Sequence, residues 1–364
     1  MCTMSRDFES LLPDATPDLL QSGLYFPDGN IVLRSAENVQ GVATLFRVHK
    51  GVLALNSAVF AGMFSLPAAA PDVQEVYDGV PLVTLTDSAA DLEALLRALY
   101  DPGALSLPRL NPNNPLKLTP VISLANKYQM DATRKRVVEI LQDSWPSTFN
   151  DWLRYRSEMS IMREVSSRSP DHLVNGQVLD DSTPEPASAI RIAEDFDVPS
   201  ILPYAYYRLA VIPVGHDWDK YRADEALRIR LENGARTARW RLLQPRELMI
   251  IMSTKERLIC ELRTIKRAFA DYNAVCTRFA GRCSQVAKCV ESAGPMVNLW
   301  KHTILHDMLY TAAKHPNPLD TLEQLVETKP SWGLCDTCSM VILRDIRRRQ
   351  EEIWAFLSGM FPGQ

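Results

Sequence analysis

Asn30-Ile31-Val32-Leu33 is a short apolar run behind the turn-prone Pro27-Asp28-Gly29, and it predicts a strand. From Leu45 to Lys50 the residues alternate, with Phe46 and Val48 on one side and Arg47 and His49 on the other, as in a half-buried strand. At Gly51 the period changes. Val52, Leu55, Val59, Met63 and Leu66 recur at steps of three and four, and Leu53, Phe60 and Phe64 widen the stripe; this predicts a buried amphipathic helix ending by Pro67. Ala68 to Gly79 reads as a loop, Leu82-Val83-Thr84-Leu85 as a third strand, and Ser88 as the cap of a helix carrying Leu92, Leu95, Leu96 and Leu99. A proline-rich loop then leads to a helix opened by Thr119 and Pro120, with Val121, Leu124, Ala125 and Tyr128 on one side. Asp131 caps a further helix that runs to about Ser144.

Beyond Trp145-Pro146 the pattern is helical but interrupted. Ser166 to Ser188, rich in Ser, Pro, Asp and Asn, reads as a mobile linker, with an ordered surface loop as the competing reading. Ala187 to Phe196 and Ile201 to Leu209 form a short helical pair, Leu248 to Phe269 is the longest uninterrupted helical pattern, and Arg344 to Phe356 makes a last helix. The expected division is therefore a compact module over 22–142, a helical region over 143–240 with its mobile loop at about 166–188, and a C-terminal helical region over 241–364.

A length of 364 residues, with 46% hydrophobic and 23% charged residues, fits a chain that folds over most of its length into two or three cores. Forty basic against forty-four acidic residues leave a net charge of -4, which provides no field to hold a polyanion and disfavours nucleic acid as a partner. No stretch approaches the roughly 20 apolar residues a membrane span needs, and Met1 to Asp7 has no apolar core region, so the expectation is a soluble intracellular protein, in cytoplasm or nucleus and not secreted. Seven cysteines, all but Cys2 lying between Cys260 and Cys338, are unlike a secreted disulfide framework and suit reduced thiols or a metal site.

The series strand, strand, helix, strand, helix, loop, helix, helix, opened by Asp28 to Leu33, resembles the BTB/POZ domain over roughly residues 22–142. At its centre Phe46-Arg47-Val48-His49-Lys50, then Val52-Leu53-Ala54, Ser57, Val59-Phe60 and Met63-Phe64, is similar to that family's signature of a strand followed by a helix hairpin. The remainder resembles the C-terminal region of fungal, especially mushroom-type, BTB proteins at Ala193 to Pro199, Leu334 to Cys338 and Arg349 to Trp354. The resemblance implies an α+β fold, a small sheet with surrounding helices, followed by a mostly α-helical region. It also implies an adaptor that binds proteins and forms homodimers. A substrate receptor for a cullin-type ubiquitin ligase and a transcriptional co-regulator are the alternatives. The chain departs from the family in two places. Tyr100 to Leu110 lacks the glutamate of the motif that cullin-binding members often carry, and Pro13 and Pro17 interrupt Phe8 to Leu20, where many dimeric members have an exchanged helix.

Cys335-x-x-Cys338 is the sharpest chemical feature, because its spacing lets two thiolates converge on one ion. Cys283 and Cys289 are the candidates for the other half of a structural zinc site, with Cys276 or His302 as substitutes. The competing reading is that Cys276, Cys283 and Cys289 pack on helices as small hydrophobes. A thioredoxin-like role lacks its strand context. His302 and His306 have the spacing of a zinc protease pair, but Thr303 stands where the glutamate base belongs. His49 reads as a structural histidine whose ring hydrogen-bonds nearby, and Arg344, Arg347, Arg348 and Arg349, interleaved with Asp345, Glu351 and Glu352, as a solvated helix face. No phosphate-cradling loop or nucleophile elbow occurs, so the expectation is a protein that is not an enzyme; a hidden active site in residues 150–364 would need a pocket with convergent polar groups.

Overall fold

The computed structural model of the chain describes residues 19–66, 75–270, 283–300 and 316–361. These fall into two compact units. One holds the described residues up to Ser106 with Leu118–Val137, and the other Leu107–Lys117 with the described residues from Val138 onward.

In the first unit, strands β1 (Leu19–Tyr25), β2 (Ile31–Arg34), β3 (Ala43–Val48), β4 (Val76–Tyr77) and β5 (Val80–Thr84) make a five-stranded sheet in the order β1-β3-β2-β5-β4. β3 runs parallel to β1 and antiparallel to β2, and β2 runs parallel to β5. Because β3 is paired on both edges and covered on both faces, Leu45 and Phe46 are both fully buried, where alternation alone would bury one of them. β1 has no sequence signature of a strand because most of its side chains face solvent, so no apolar alternation marks it.

The stripe from Gly51 is two helices, not one: α1 (Lys50–Asn56) and α2 (Ala58–Ser65). Ser57 between them is extended (φ -137°, ψ 119°), and its hydroxyl accepts the Phe60 N–H, so it caps the second helix. α3 (Ala89–Tyr100) follows β5 behind its Ser88 cap. α4 (Asn114–Lys127) begins before Thr119, because the Asn113 carbonyl already accepts from Lys117 N–H, and Pro120 lies within the helix. α5 spans Asp131–Ser144. The expected helix end at Pro67 and most of the loop from Ala68 lie outside the described residues, as do Pro13 and Pro17.

The second unit is mostly helical: α6 (Phe149–Arg168), α7 (Pro186–Asp195), α8 (Leu202–Val211), α9 (Trp218–Ala223), α10 (Glu225–Glu232), α11 (Pro245–Ala270), α12 (Val286–Trp300), α13 (Pro318–Glu327) and α14 (Asp336–Gly359). The segment 166–188 contributes buried side chains to the second unit. It finishes α6, forms the hairpin β6 (Leu173–Val174) and β7 (Gln177–Val178), and buries Leu179, Asp180, Thr183 and Glu185. Its two turn residues, Asn175 and Gly176, have φ of 52° and 76°, the left-handed geometry that an Asn-Gly hairpin turn requires. The second unit runs across residue 240, and within it Arg191 of α7 meets Glu247 of α11 at 2.6 Å. Among the described residues, no helix is long and apolar enough to cross a membrane.

Candidate functional site

The junction of β3 with α1 is built from the motif residues. The hydroxyl of Tyr100 accepts the His49 backbone N–H at 2.9 Å and lies 3.1 Å from its Nδ1, while Asp28 stands 3.3 Å from Nε2. Phe26 stacks on Tyr100 at 4.9 Å, closing an aromatic clasp around the imidazole. Nearby, Arg47 donates from Nε to the Gly29 carbonyl at 2.8 Å and pairs with Asp78 at 2.7 Å. A Cβ at Gly29 would sit 3.0 Å from the Arg47 backbone, so only glycine permits this approach. Lys50 takes Asn30 Oδ1 on its backbone N–H.

Across the hairpin, Ser57 donates to the Tyr128 carbonyl at 2.5 Å, and Phe60 stacks on the Tyr128 ring at 4.7 Å. The Tyr128 hydroxyl in turn donates to Asp87; burial and that carboxylate together push the phenol far above its ordinary range. Phe46, Val48 and Leu53 are fully buried, Phe60 nearly so, and Val52, Met63 and Phe64 half-buried. Asp28 is largely exposed. Most of the motif is therefore core and clasp. The residues that sequence reasoning missed, Tyr100, Tyr128 and Asp87, are those that lock it, and they are separated from the motif by loops that leave no local pattern.

What the motif leaves outside is apolar. Leu55 on α1 is 86% exposed although Leu53, two residues earlier, is wholly buried; Val59 and Leu66 are exposed on and beyond α2, and Leu20 on β1 is 59% exposed. Among the described residues β1 is also an end strand of its sheet, with one edge unpaired. Strand order, helix hairpin and clasp together specify a known module. Residues 33–144 match the BTB/POZ domain. The chain therefore carries an N-terminal BTB/POZ domain, a small sheet with helices, followed by a mostly helical region; such a domain is a protein-interaction module, not a catalytic one, and implies protein partners. No curated protein matches the chain.

C-terminal to the BTB/POZ domain, Cys283, Cys289, Cys335 and Cys338 come together, with their Sγ atoms all within 4.8 Å of one another and Cys283 3.6 Å from Cys335. Two helix starts place them. Cys283 precedes α12 and Cys289 lies in its first turns, while Cys335 is the residue before α14 and Cys338 lies in that helix's first turn. The Cys335 backbone N–H donates to Cys289 Sγ at 3.2 Å. The nearby amide of Cys338 draws the Cys335 thiol down to about 6, and burial raises Cys289 and Cys338. Cys276, His302 and His306 lie outside the described residues.

A cavity of about 210 Å³ in the second unit is walled by Arg156, Arg163, Arg208 and Arg236 with Tyr155 and Tyr204 among its lining. Its polar groups are guanidinium-rich, with Asp320 and Asn317 as the carbonyl-bearing side chains. The basic run of α14 is more than a solvated face: Arg347 pairs with Glu323 of α13, and Arg349 with Glu261 of α11 at 2.5 Å, alongside the local pairs to Asp345 and Glu352. Those partners are 24 and 88 residues away in sequence, which is why periodicity within the helix could not find them.

Proposed function

We propose that this chain is a protein-interaction adaptor whose BTB/POZ domain pairs with a second copy of itself, leaving the helical region to hold another protein. The observation that carries this is Leu55. Leu55, 86% exposed, has exposed apolar companions in Val59 four residues on and Leu66 beyond α2, and covering such surface stabilises by about 25 cal/mol per Å². The edge of β1 that is unpaired among the described residues supplies backbone donors and acceptors that a symmetric partner can satisfy. A stable interface of this kind buries on the order of 1,600 Å² in total, within reach of a module of this size. Neither the receptor role for a cullin-type ligase nor the co-regulator role has a specific structural feature in its favour.

Light scattering on the full chain during size exclusion tests the reading. A dimer at micromolar concentration that becomes a monomer in Leu55→Glu, with the circular dichroism of the folded chain retained, is expected. A wild-type chain that stays monomeric at the highest attainable concentration would overturn it.

A further inference from the structure

Four sulfurs from two helix starts meet at one point, and we propose that Cys283, Cys289, Cys335 and Cys338 hold a structural zinc ion that ties the start of α12 to the start of α14. The geometry separates the ion from its two rivals. In a tetrahedral zinc–thiolate site, Zn–S bonds of about 2.3 Å set the sulfurs about 3.8 Å apart. The observed spread, 3.6 Å for Cys283 to Cys335 and no more than 4.8 Å for the whole set, brackets that value. Disulfides need about 2.05 Å and leave no reason for all four sulfurs to share one centre. Packing as small hydrophobes accounts for burial, but apolar contact does not require four polarisable atoms to converge, nor an amide to donate to one of them as the Cys335 N–H does to Cys289.

The chain around the cluster is shaped to bring it together. Gly333 takes φ 68°, and a Cβ there would lie 2.8 Å from Ser292 Oγ of α12, so glycine lets the segment leading to Cys335 lie against that helix. Cys335 and Cys338 sit at the N-terminus of a 24-residue helix, where the aligned peptide dipoles favour negative sulfur. Just upstream, Trp332 stands edge-on to Trp300 at 5.5 Å, and both indole N–H groups donate to Thr328 Oγ1. The ion therefore has a built-in reporter, since Trp332 is three residues from a ligand. Binding would displace protons from any thiol still carrying one, four sulfur–zinc bonds forming with no change in oxidation state.

The test uses the full chain, tag-free, purified without chelator from zinc-supplemented medium, with metal read by mass spectrometry. About one zinc per chain is expected in wild type and in the control Cys260→Ser, whose thiol is exposed and outside the cluster, falling below about one-tenth in Cys335→Ser and Cys338→Ser. Because a serine variant can lose its fold, exchange of the wild type into cobalt supplies a second readout: intense tetrahedral thiolate bands, with near-ultraviolet dichroism of the tryptophans changing on chelation. Wild-type protein with less than about one-tenth of an equivalent of zinc, and no tetrahedral cobalt spectrum, would overturn the site.

Discussion

The two units are held by different forces. In the BTB/POZ domain the described core is aliphatic and aromatic, with Asp87 as its buried carboxylate, and the surplus of apolar groups spills onto the surface at Leu55 and Leu20. In the helical unit Asp180, Glu185, Glu247, Glu261 and Glu323 are all buried, and each is matched to arginine. Asp180 receives Arg222 at 3.0 Å and Arg236 at 2.7 Å. Glu185 caps α7 through the amides of Ala187 and Ser188 while facing Arg239, and the Trp218 ring lies between Arg222 and Arg239 at 3.2 and 3.9 Å. Exposed apolar side chains occur on both units, Met249 and Met252 on α11 as well as Leu55 and Leu20, so what separates the two is the buried, paired charge of the helical unit.

That contrast can be broken by mutation. Asp180→Ala removes the anion between two guanidinium groups, and leaving buried charge uncompensated costs about 3–5 kcal/mol, measurable as a shift in chemical denaturation. A cost under about 1 kcal/mol would mean that charge does not organise the helical unit. Ser57→Ala loses both the cap of α2 and the bond to Tyr128, an expected loss of about 1–2 kcal/mol confined to the BTB/POZ domain. Asp28→Asn, at an exposed partner of His49, should change stability by less than about 0.5 kcal/mol in the same assay, since surface pairs contribute little. A larger effect would show that the clasp around His49 depends on charge and not on the Tyr100 and Phe26 rings.

How much of this the sequence disclosed follows the same division. Periodicity exposes elements whose apolar face repeats locally, so β2, β3, the α1–α2 stripe and α3 were legible, and the Cys335-x-x-Cys338 spacing was readable because both thiols lie in one turn. Cys283 and Cys289 were candidates for the other half with Cys276 or His302 as substitutes, because spacing alone does not choose among them. Long-range polar pairing is invisible to period. Asp180 meets Arg236 across 56 residues, so a segment full of Ser, Pro and Asp reads as a linker although Asp180 and Glu185 within it are buried. Asn175-Gly176 was the local signal that could have revealed the hairpin there. β1 was hidden for the opposite reason: most of its side chains face outward, and the backbone ladder that pairs it with β3 leaves no pattern in the sequence.

The central claim is that the BTB/POZ domain, and not the helical unit, presents the surface that associates. Amide hydrogen exchange of the full chain, followed across a concentration series, tests it most directly. Exchange at β1 and along α1–α2 should slow as concentration rises, while α7, α8 and α11 exchange at a constant rate. Rates independent of concentration at β1 and α1–α2, or protection gained only in the helical unit, would contradict the account.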